Sequence, residues 1–493
     1  MTSTAATLPQ RRHLAVLPVV VLLFLGLRLY FDFKADLVGD EAYYWMWGQH
    51  LDWSYFDHPP LHAWLLHLVA QLVGWSRFSV RLLTWASLLL VLWIFHLWSK
   101  RLAPADSATW FWRAAALYLA SPLFFLFGSI AYNDHLLVAL SLLAVHCFVT
   151  FVEQVESGRP LPLRWLYGAA VATGLATLTK YNGAFIGLGF AVAVLASPKL
   201  RPLLKSPHLW LAGLVAIAIQ APVIWWNARN GFPTVHYHLV DRWGGAAGHF
   251  SWAHPLNFIL LCALLFSPFL VWPLLRMLRT KPAAGFEASA KLVAVSILAT
   301  STLCLLALST ELDAYFYWNI VAFIGILPLL GRYVDPVLRW LHILFGLLIA
   351  ALFVCDLAVV PPGPLLGHED HGSSINFGWD EIATHMRQAA DAHAPDLFAG
   401  TRYSTTSQLG FALHITDAAK LSPEHSEYDF WQAHLPLTGK SALVLTDEPD
   451  GSAQIEWLKG HFTTLQQVDA FSITRYGVPL YSWRIFYGEG LTP

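Results

Sequence analysis

An all-helical polytopic membrane protein followed by a small C-terminal α/β domain is the fold class that this sequence predicts. Apolar residues make up 56% and charged residues 13% of the 493 residues, whereas soluble proteins average about 45–50% and about 25%. Charge is sparse as far as Pro361-Pro362-Gly363-Pro364 and returns beyond it. The net charge of −2 offers no strongly basic surface, so nucleic acid is not an expected partner.

Eleven apolar segments approach the length that crosses a bilayer, which is about 20 residues for ~30 Å of hydrocarbon. They lie at 14–31, 79–98, 112–131, 135–152, 165–179, 183–197, 208–226, 256–275, 290–309, 314–331 and 339–358. The fifth and sixth are short and are separated only by Lys180-Tyr181-Asn182-Gly183, so a single tilted helix is the alternative. Two helices keep the basic groups, such as Arg11-Arg12 and Lys199–Lys205, on alternate connections, as the positive-inside rule requires. We therefore expect about eleven spans within a transmembrane domain of residues 1–360.

The connections that alternate with these basic connections define the non-cytoplasmic side. They are residues 32–78, 132–134, 180–182, 227–255 and 310–313, together with everything after residue 359. Beyond the proline-rich segment, an amphipathic stretch over Trp379–Ala394 predicts a helix, and the runs Ser441–Leu445 and Leu480–Phe486 predict strands. We expect residues 370–493 to fold as a soluble domain on the outer side.

Two adjacent acids, Asp40 and Glu41, stand in the first outer loop just beyond a predicted span. Carboxylates in that position are costly unless they are solvated, paired or used, which favours a functional site. One could act as a general base while its neighbour holds it in place. The alternative is that Asp40 caps a helix running through Glu41 to Gln49, with the aromatic residues forming an interfacial belt.

The acidic motif is accompanied by further motifs, and together they resemble the C-type (GT-C) glycosyltransferases, in particular the protein O-mannosyltransferase and aminoarabinose transferase group. The motifs are Asp40-Glu41-Ala42-Tyr43-Tyr44-Trp45, Tyr55-Phe56-Asp57-His58-Pro59-Pro60-Leu61, Asn133-Asp134-His135, Leu178-Thr179-Lys180-Tyr181-Asn182-Gly183 and Trp225-Trp226-Asn227-Ala228-Arg229-Asn230-Gly231-Phe232. The resemblance covers roughly residues 14–330. It implies a GT-C fold in a bacterial inner membrane, with the active site and the C-terminal domain periplasmic. It also implies transfer of a sugar from a polyprenyl-phosphate carrier, with inversion, to lipid A or lipopolysaccharide, another glycan or a protein.

The resemblance assigns roles to the acidic residues. Asp40 would be the catalytic base that deprotonates the acceptor hydroxyl, and Glu41 would orient Asp40 or the acceptor. Asp134, beside His135, would be a second acidic site across the cavity.

The resemblance also implies cationic and polar substrate-binding residues. Lys180 and Arg229 are the candidates to neutralise the departing lipid phosphate, because a cation there stabilises charge that grows in the transition state. The alternatives are that Lys180 is a snorkelling cap of the fifth span and that Arg229 is an interfacial anchor. The further candidates for substrate binding are Tyr55, His58, His135 and Tyr181.

Histidines and acids gather on the same outer loops. His58 stands where many relatives have a basic residue before Pro-Pro, and it follows Asp57. Imidazole and carboxylate suit Zn²⁺ or Mn²⁺, and Mg²⁺ is a third possibility. The predicted ligands are Asp57 and His58 alone. His236, His238, His249 and His254 lie on a later loop of the same side.

Two other classes of function remain open from the sequence. A secondary transporter would carry charges at mid-membrane depth and broken helices in repeated halves, whereas these acids lie at span ends. A membrane scaffold with an outer partner-binding domain is the other alternative, and in it the acidic motifs would be incidental.

Overall fold

The computed structural model describes residues 16–240, 251–448 and 451–492. Arg11, Arg12 and His249 lie outside the described residues. By its internal contacts the chain divides into two compact units. The helical unit comprises Met1–Leu29, His58–Leu61 and Leu83–Ala351, and the mixed unit comprises Tyr30–Asp57, His62–Leu82 and Leu352–Pro493.

The described part of the helical unit consists of helices and short 3₁₀ turns. Its helices are Ser107–Leu119, Pro122–Ser129, Asn133–Glu156, Leu163–Thr179, Ala184–Ala196, Pro207–Ala218, Ala221–Arg229, Pro233–Leu239, Ala253–Phe266, Pro268–Arg279, Phe286–Leu308, Ile320–Ile324 and Leu327–Leu330. Leu17–Lys34, Arg77–Leu102 and Pro336–Ala358 begin in one unit and end in the other. Short 3₁₀ turns lie at Pro104–Asp106, Tyr181–Gly183, Arg201–Lys205 and Phe316–Asn319.

Four helices of the described chain are long and apolar enough to cross a membrane. They are Arg77–Leu102, Asn133–Glu156, Phe286–Leu308 and Pro336–Ala358. Three further pairs pass the same test jointly, which raises the number to at most seven if each bent pair is one span. The expected count of eleven is therefore not reached by length and composition.

Proline explains much of this difference. The bent pairs meet at 74°, 47° and 98°, and each second helix has Pro122, Pro222 or Pro268 in its first two positions. A proline removes a backbone donor and clashes with the preceding turn, so an apolar run that contains one does not continue as a straight helix. The predicted spans 112–131, 208–226 and 256–275 each run through one of these prolines.

Other predicted spans are too short or too charged. The first described helix, Leu17–Lys34, contains Arg28, Asp32 and Lys34 within its 18 residues. The predicted span 314–331 is divided into a 3₁₀ turn and two helices of five and four residues. Residues 165–197 form two helices, as expected, because Lys180 is extended at φ −156° and ψ 137° between Leu163–Thr179 and the turn at Tyr181–Gly183.

The mixed unit contains the predicted α/β domain. Its described strands form one five-stranded sheet in the order β2-β1-β3-β5-β4. They are β1 Leu397–Gly400, β2 Ala419–Lys420, β3 Ala442–Thr446, β4 Thr464–Arg475 and β5 Val478–Glu489. β1 pairs parallel with β2 and β3, whereas β5 pairs antiparallel with β3 and β4. Tyr476 and Gly477 both have positive φ, which is the conformation that closes a two-residue hairpin between β4 and β5.

Alternation along β3 builds a core on each face of the sheet. Leu443 and Leu445 belong to a cluster with Trp379 and Met386 of the helix Trp379–His393. Ala442 and Val444 belong to the opposite cluster, with residues of the helix Ala453–His461. The other described helices of the unit are Pro362–Leu365, His371–Ser374, Tyr403–Leu413 and Tyr428–Gln432.

The first outer loop belongs to the mixed unit except for His58–Leu61, and it is mostly helical. It contains the helix Gly39–Gln49, and the helix Leu61–Val73 follows it. Tyr43, Trp45 and Trp47 are at most 2% exposed. These aromatic side chains are core residues of the unit and do not form the interfacial belt that one interpretation of the sequence predicted.

Candidate active site

Asp40 lies in the first turn of the helix Gly39–Gln49, and its side chain is half-buried. Val38 is the residue that precedes the helix, so Asp40 is not its N-cap. The hydroxyl of Tyr403 donates a hydrogen bond to Asp40 Oδ1 at 3.1 Å. Asp40 is therefore held by a residue of the C-terminal part of the chain, 363 positions away.

Glu41 has no exposed side-chain surface and forms a two-pronged ion pair with Arg81. Arg81 Nε donates to Oε1 at 2.9 Å, and Nη2 donates to Oε2 at 2.6 Å. Arg81 also donates to the carbonyls of Phe31, Ala35 and Asp36. Because Glu41 accepts a further bond from the amide of Val38, it joins the start of the helix to the preceding segment.

The loop after this helix is closed by buried polar contacts. The Tyr55 hydroxyl donates to the carbonyls of Trp47 and His50, and its ring stacks on Trp47 at 4.5 Å. The amide of Phe56 donates to Glu427 Oε2 at 2.6 Å. Burial raises the pKa of the Glu427 carboxyl well above its usual value, and the nearby Asp57 acts in the same direction. Tyr55 is fully buried, so it shapes the loop from within.

In the helical unit, Lys180 and Asp134 form a buried ion pair. Lys180 Nζ lies 2.8 Å from both carboxylate oxygens, and the two side chains are 8% and 2% exposed. Asp134 opens the helix Asn133–Glu156, where the helix dipole favours a negative charge. Lys180 Nζ also lies 4.9 Å from the centre of the Tyr317 ring, within the range of a cation–π contact.

Lys180 borders a cavity of about 570 Å³ in the helical unit. The walls are mainly apolar and include Phe185, Ile224 and Leu305. The polar residues of the wall are His58, Lys180, Tyr181, Asn182, Asn227, Thr234 and His238. Pockets of this kind, apolar with a few convergent polar groups, are typical of ligand sites. Among the described residues that line the cavity, Lys180 is the only lysine or arginine.

The remaining sequence candidates have different surroundings. His135 is buried, and its Nδ1 lies 2.9 Å from the Ser87 hydroxyl. His58 and Tyr181 line the cavity with Lys180, and both rings lie near His238. Arg229 is exposed at the last turn of its helix and does not line the cavity. The helical unit thus brings together Lys180, Asp134, Tyr181 and His58, whereas Asp40, Glu41, Tyr55 and Asp57 belong to the mixed unit.

Asp57 and His58 were the predicted metal ligands. Among residues 16–240, 251–448 and 451–492, no group of three or more His, Cys, Asp or Glu side chains is arranged to hold a metal ion. Two donors alone do not make the four- to six-coordinate sites that Zn²⁺, Mn²⁺ and Mg²⁺ prefer. The described residues therefore do not fit a resident metal.

Three residues of the site were not singled out from the sequence. Arg81 is a charge inside the predicted span 79–98, and a charge at that depth normally marks a partner or a function. Tyr403 and Glu427 lie in the C-terminal domain, outside every motif. Nothing in their local sequence indicates that they contact Asp40 and Phe56.

Comparisons with known proteins bear on this arrangement. Residues 57–226 match the family model described as dolichyl-phosphate-mannose-protein mannosyltransferase. Two curated relatives from Rhizobium johnstonii are 28% identical: the lipid A galacturonosyltransferase RgtD over 221 residues and the lipopolysaccharide core galacturonosyltransferase RgtB over 216 residues. Each alignment covers 44% of this chain, and 43% and 42% of the two relatives, so less than half of their length is matched.

The fold is similar to that of a solved enzyme along almost its whole length. ArnT from Cupriavidus metallidurans, bound to undecaprenyl phosphate, superposes with a TM-score of 0.62 at 19% identity, covering 98% of both chains. The apo structure of the same protein superposes with a TM-score of 0.61 at 18% identity, covering 95% of this chain and 97% of that one. The resemblance that the motifs predicted is thereby confirmed: the chain has the fold of the C-type glycosyltransferases, and its residues 57–226 match the dolichyl-phosphate-mannose-protein mannosyltransferase family.

Proposed function

We propose that this protein is an integral membrane glycosyltransferase that moves a sugar from a polyprenyl-phosphate carrier to an acceptor outside the cytoplasm. The observation that carries the proposal is the pairing of a fixed cation, Lys180, with a mainly apolar cavity of about 570 Å³. A lipid phosphate needs both features, because its headgroup is anionic and its chain is apolar. The solved relative ArnT, described as bound to undecaprenyl phosphate, supports this class of donor.

Lys180 is the proposed phosphate ligand. An ammonium group has three N–H donors. In the structure, the Lys180 ammonium donates to both carboxylate oxygens of Asp134. We propose that Asp134 holds Lys180 in position and that a remaining donor meets the phosphate. Tyr181, His58 and Arg229 are the further residues proposed to contact the donor. His135 would fix the start of the helix that carries Asp134.

Asp40 is the proposed general base. As the acceptor hydroxyl oxygen bonds to the anomeric carbon, its proton passes to the Asp40 carboxylate and the bond from carbon to the phosphate oxygen breaks. The leaving group is the polyprenyl phosphate, whose added charge Lys180 stabilises. Attack from the face opposite the leaving group inverts the anomeric carbon. Glu41, bound to Arg81, would keep the first turn of the helix that carries Asp40 in place, and Tyr55 would maintain the shape of the following loop.

The names of the relatives support the proposed acceptor, and the distribution of basic residues supports the proposed location. RgtD and RgtB are named as galacturonosyltransferases of lipid A and of the lipopolysaccharide core, which supports lipopolysaccharide as the acceptor and a uronic acid as the first sugar to test. We propose a multi-pass protein of the bacterial inner membrane, with its spans within residues 1–360. The alternation of basic connections supports a periplasmic site and a periplasmic domain at 370–493.

A transfer assay without a membrane gradient tests the proposal. Purified protein in nanodiscs is given a panel of polyprenyl-phosphate sugars, including galacturonate, with lipid A as acceptor. Asp40→Asn should lower the transfer rate by about 10²–10⁴, because the base is lost, and donor binding should survive. Normal transfer by a well-folded Asp40→Asn protein would remove the assignment of the base.

The donor site has its own test. Lys180→Ala should lower kcat/KM for the donor by about 10²–10³, which is typical for loss of one group that stabilises transition-state charge. Lys180→Arg should be partly tolerated. Lys291→Ala is the control, because Lys291 is also a lysine of the helical unit, but its ammonium donates to backbone carbonyls and it does not line the cavity. If Lys180→Ala uses subsaturating donor normally, the phosphate role passes to Arg229.

A further inference from the structure

The helix Tyr403–Leu413 of the C-terminal domain packs directly against the helix Gly39–Gln49. A side chain at Gly39 would place its Cβ 2.7 Å from Ser404 Cβ, and one at Gly410 would place it 3.0 Å from Met46 Cε. The Gln408 amide also donates to the carbonyl of Leu37 at 2.7 Å. Small residues on both helices therefore allow a close backbone approach, which fixes one helix relative to the other within the mixed unit.

This packing places the Tyr403 hydroxyl on Asp40. The distance to Oδ1 is 3.1 Å, and the Tyr403 ring lies 4.6 Å from the ring of Tyr43, one turn along the helix that carries Asp40. The Tyr43 hydroxyl in turn accepts from the amide of Glu427 at 2.8 Å. Tyr403 is thus held by ring packing on one side and by the carboxylate on the other.

The charges around this contact make Tyr403 a donor. The negative charge of Asp40, together with burial, raises the pKa of the Tyr403 phenol well above its usual value of 10, so the phenol stays protonated. Asp57 from the first loop and Glu424 from the C-terminal domain also raise this pKa, and both are acidic. Tyr43 is a further titratable group that interacts with Tyr403. A hydrogen bond donated to a carboxylate favours its ionised form, which is the form that accepts a proton.

We propose that Tyr403 is a positioning residue that orients the Asp40 carboxylate and keeps it ionised, so that the C-terminal α/β domain forms part of the active site. The proposal rests on the proposed role of Asp40 as the base. It gives the C-terminal domain a direct part in the transfer reaction, because Tyr403 opens the first turn of one of its helices.

Tyr403→Phe tests the proposal, because it removes the hydroxyl and keeps the ring. We expect kcat to fall about ten- to hundredfold, which corresponds to loss of one hydrogen bond to a charged group. The KM for the lipid donor should stay within about twofold, because the bond does not touch the phosphate. The acid limb of kcat against pH should move upward by about one pH unit, since ionised Asp40 is then less favoured.

Tyr428→Phe is the matched control. Tyr428 is also a buried tyrosine that stacks near Tyr43, but its hydroxyl bonds to the Ser407 hydroxyl at 2.9 Å. It should change neither kcat nor the pH profile, although it removes an equivalent hydroxyl from the same unit. A fluorinated tyrosine at position 403, which keeps the shape and is a stronger donor, should move the acid limb downward, and it serves as the second test if Tyr403→Phe does not fold.

The possible results separate this proposal from the proposed function. If Asp40→Asn is inactive while Tyr403→Phe has a normal kcat and an unmoved acid limb, the positioning role is wrong and the base assignment stands. If Tyr403→Phe and Tyr428→Phe lose activity equally, with the same pH profile as the unmodified protein, Tyr403 serves only the packing of the domain. If Asp40→Asn transfers sugar normally, the proposed function itself fails first.

Discussion

The ion pair between Glu41 and Arg81 predicts that removing a single carboxylate will lower the free energy of unfolding by several kcal/mol. Neither side chain has exposed surface, and two hydrogen bonds of 2.9 and 2.6 Å join them. Glu41→Gln keeps the shape of the side chain but leaves the guanidinium buried without its counter-charge. Removal of one partner from a buried pair typically destabilises a protein by about 3–5 kcal/mol.

The structure indicates that the destabilisation caused by Glu41→Gln lies toward the lower end of that range. Arg81 also donates to the carbonyls of Phe31, Ala35 and Asp36, and these dipoles continue to stabilise its charge. For a domain of 150–250 residues, each kcal/mol lowers the melting temperature by about 2–4 °C, so about 3 kcal/mol corresponds to roughly 6–12 °C.

Glu153→Gln is the control in the same assay, which follows the apparent melting temperature by tryptophan fluorescence in detergent. Glu153 pairs with Arg101, whose side chain is 43% exposed, and a pair of that kind contributes at most about 1 kcal/mol. Equal melting temperatures for Glu41→Gln and Glu153→Gln would refute the reasoning.

Three further predictions concern topology, the donor site and pH. Reporter fusions after Lys205 and after Gly372 should report opposite sides of the membrane, and the same side for both would show that the span count is wrong. Asp134→Asn should lower kcat/KM for the lipid donor about as much as Lys180→Ala does. The double variant should be no worse than either single variant, because the effects of mutating two residues that act as one unit do not add. Additive losses in kcat/KM would contradict the pairing. Burial raises the pKa of Glu427, so the folded protein favours the neutral carboxyl. The contribution of Glu427 to stability is therefore present below the pKa of the unfolded chain. It is lost as the pH rises through the pKa of the folded protein. The melting temperature of Glu427→Gln should therefore fall less than that of the unmodified protein as the pH is raised, and parallel curves would contradict this.

Local patterns in the sequence determined much of the architecture. The shortage of charge predicted apolar helices, and the amphipathic stretch at Trp379–Ala394 became the helix Trp379–His393. The runs at Ser441–Leu445 and Leu480–Phe486 lie in β3 and β5, apart from Ser441, which directly precedes β3. These predictions succeeded because periodicity reports which face of an element is buried, whatever it packs against.

The same patterns gave wrong predictions where proline interrupts an apolar run and where an aromatic residue could serve either of two roles. Apolar content alone marked continuous spans through Pro122, Pro222 and Pro268, and the helices break there because proline removes a donor. Composition also cannot distinguish an aromatic residue at a membrane interface from one in a core, and Tyr43, Trp45 and Trp47 are in a core.

Candidate residues could be predicted one at a time, but only the tertiary structure decided their partners. Asp134 and Lys180 both come from recognisable motifs, yet their pairing across 46 positions depends on which helices pack together. Glu41 finds Arg81 across 40 positions, and Asp40 finds Tyr403 across 363. Such contacts depend on the close packing of elements that are distant in sequence, and small residues such as Gly39 allow that approach. No local pattern near either residue indicates which distant residue will be its partner. The sequence therefore determined which groups carry the chemistry, whereas the fold decided which of them are held in place and by what.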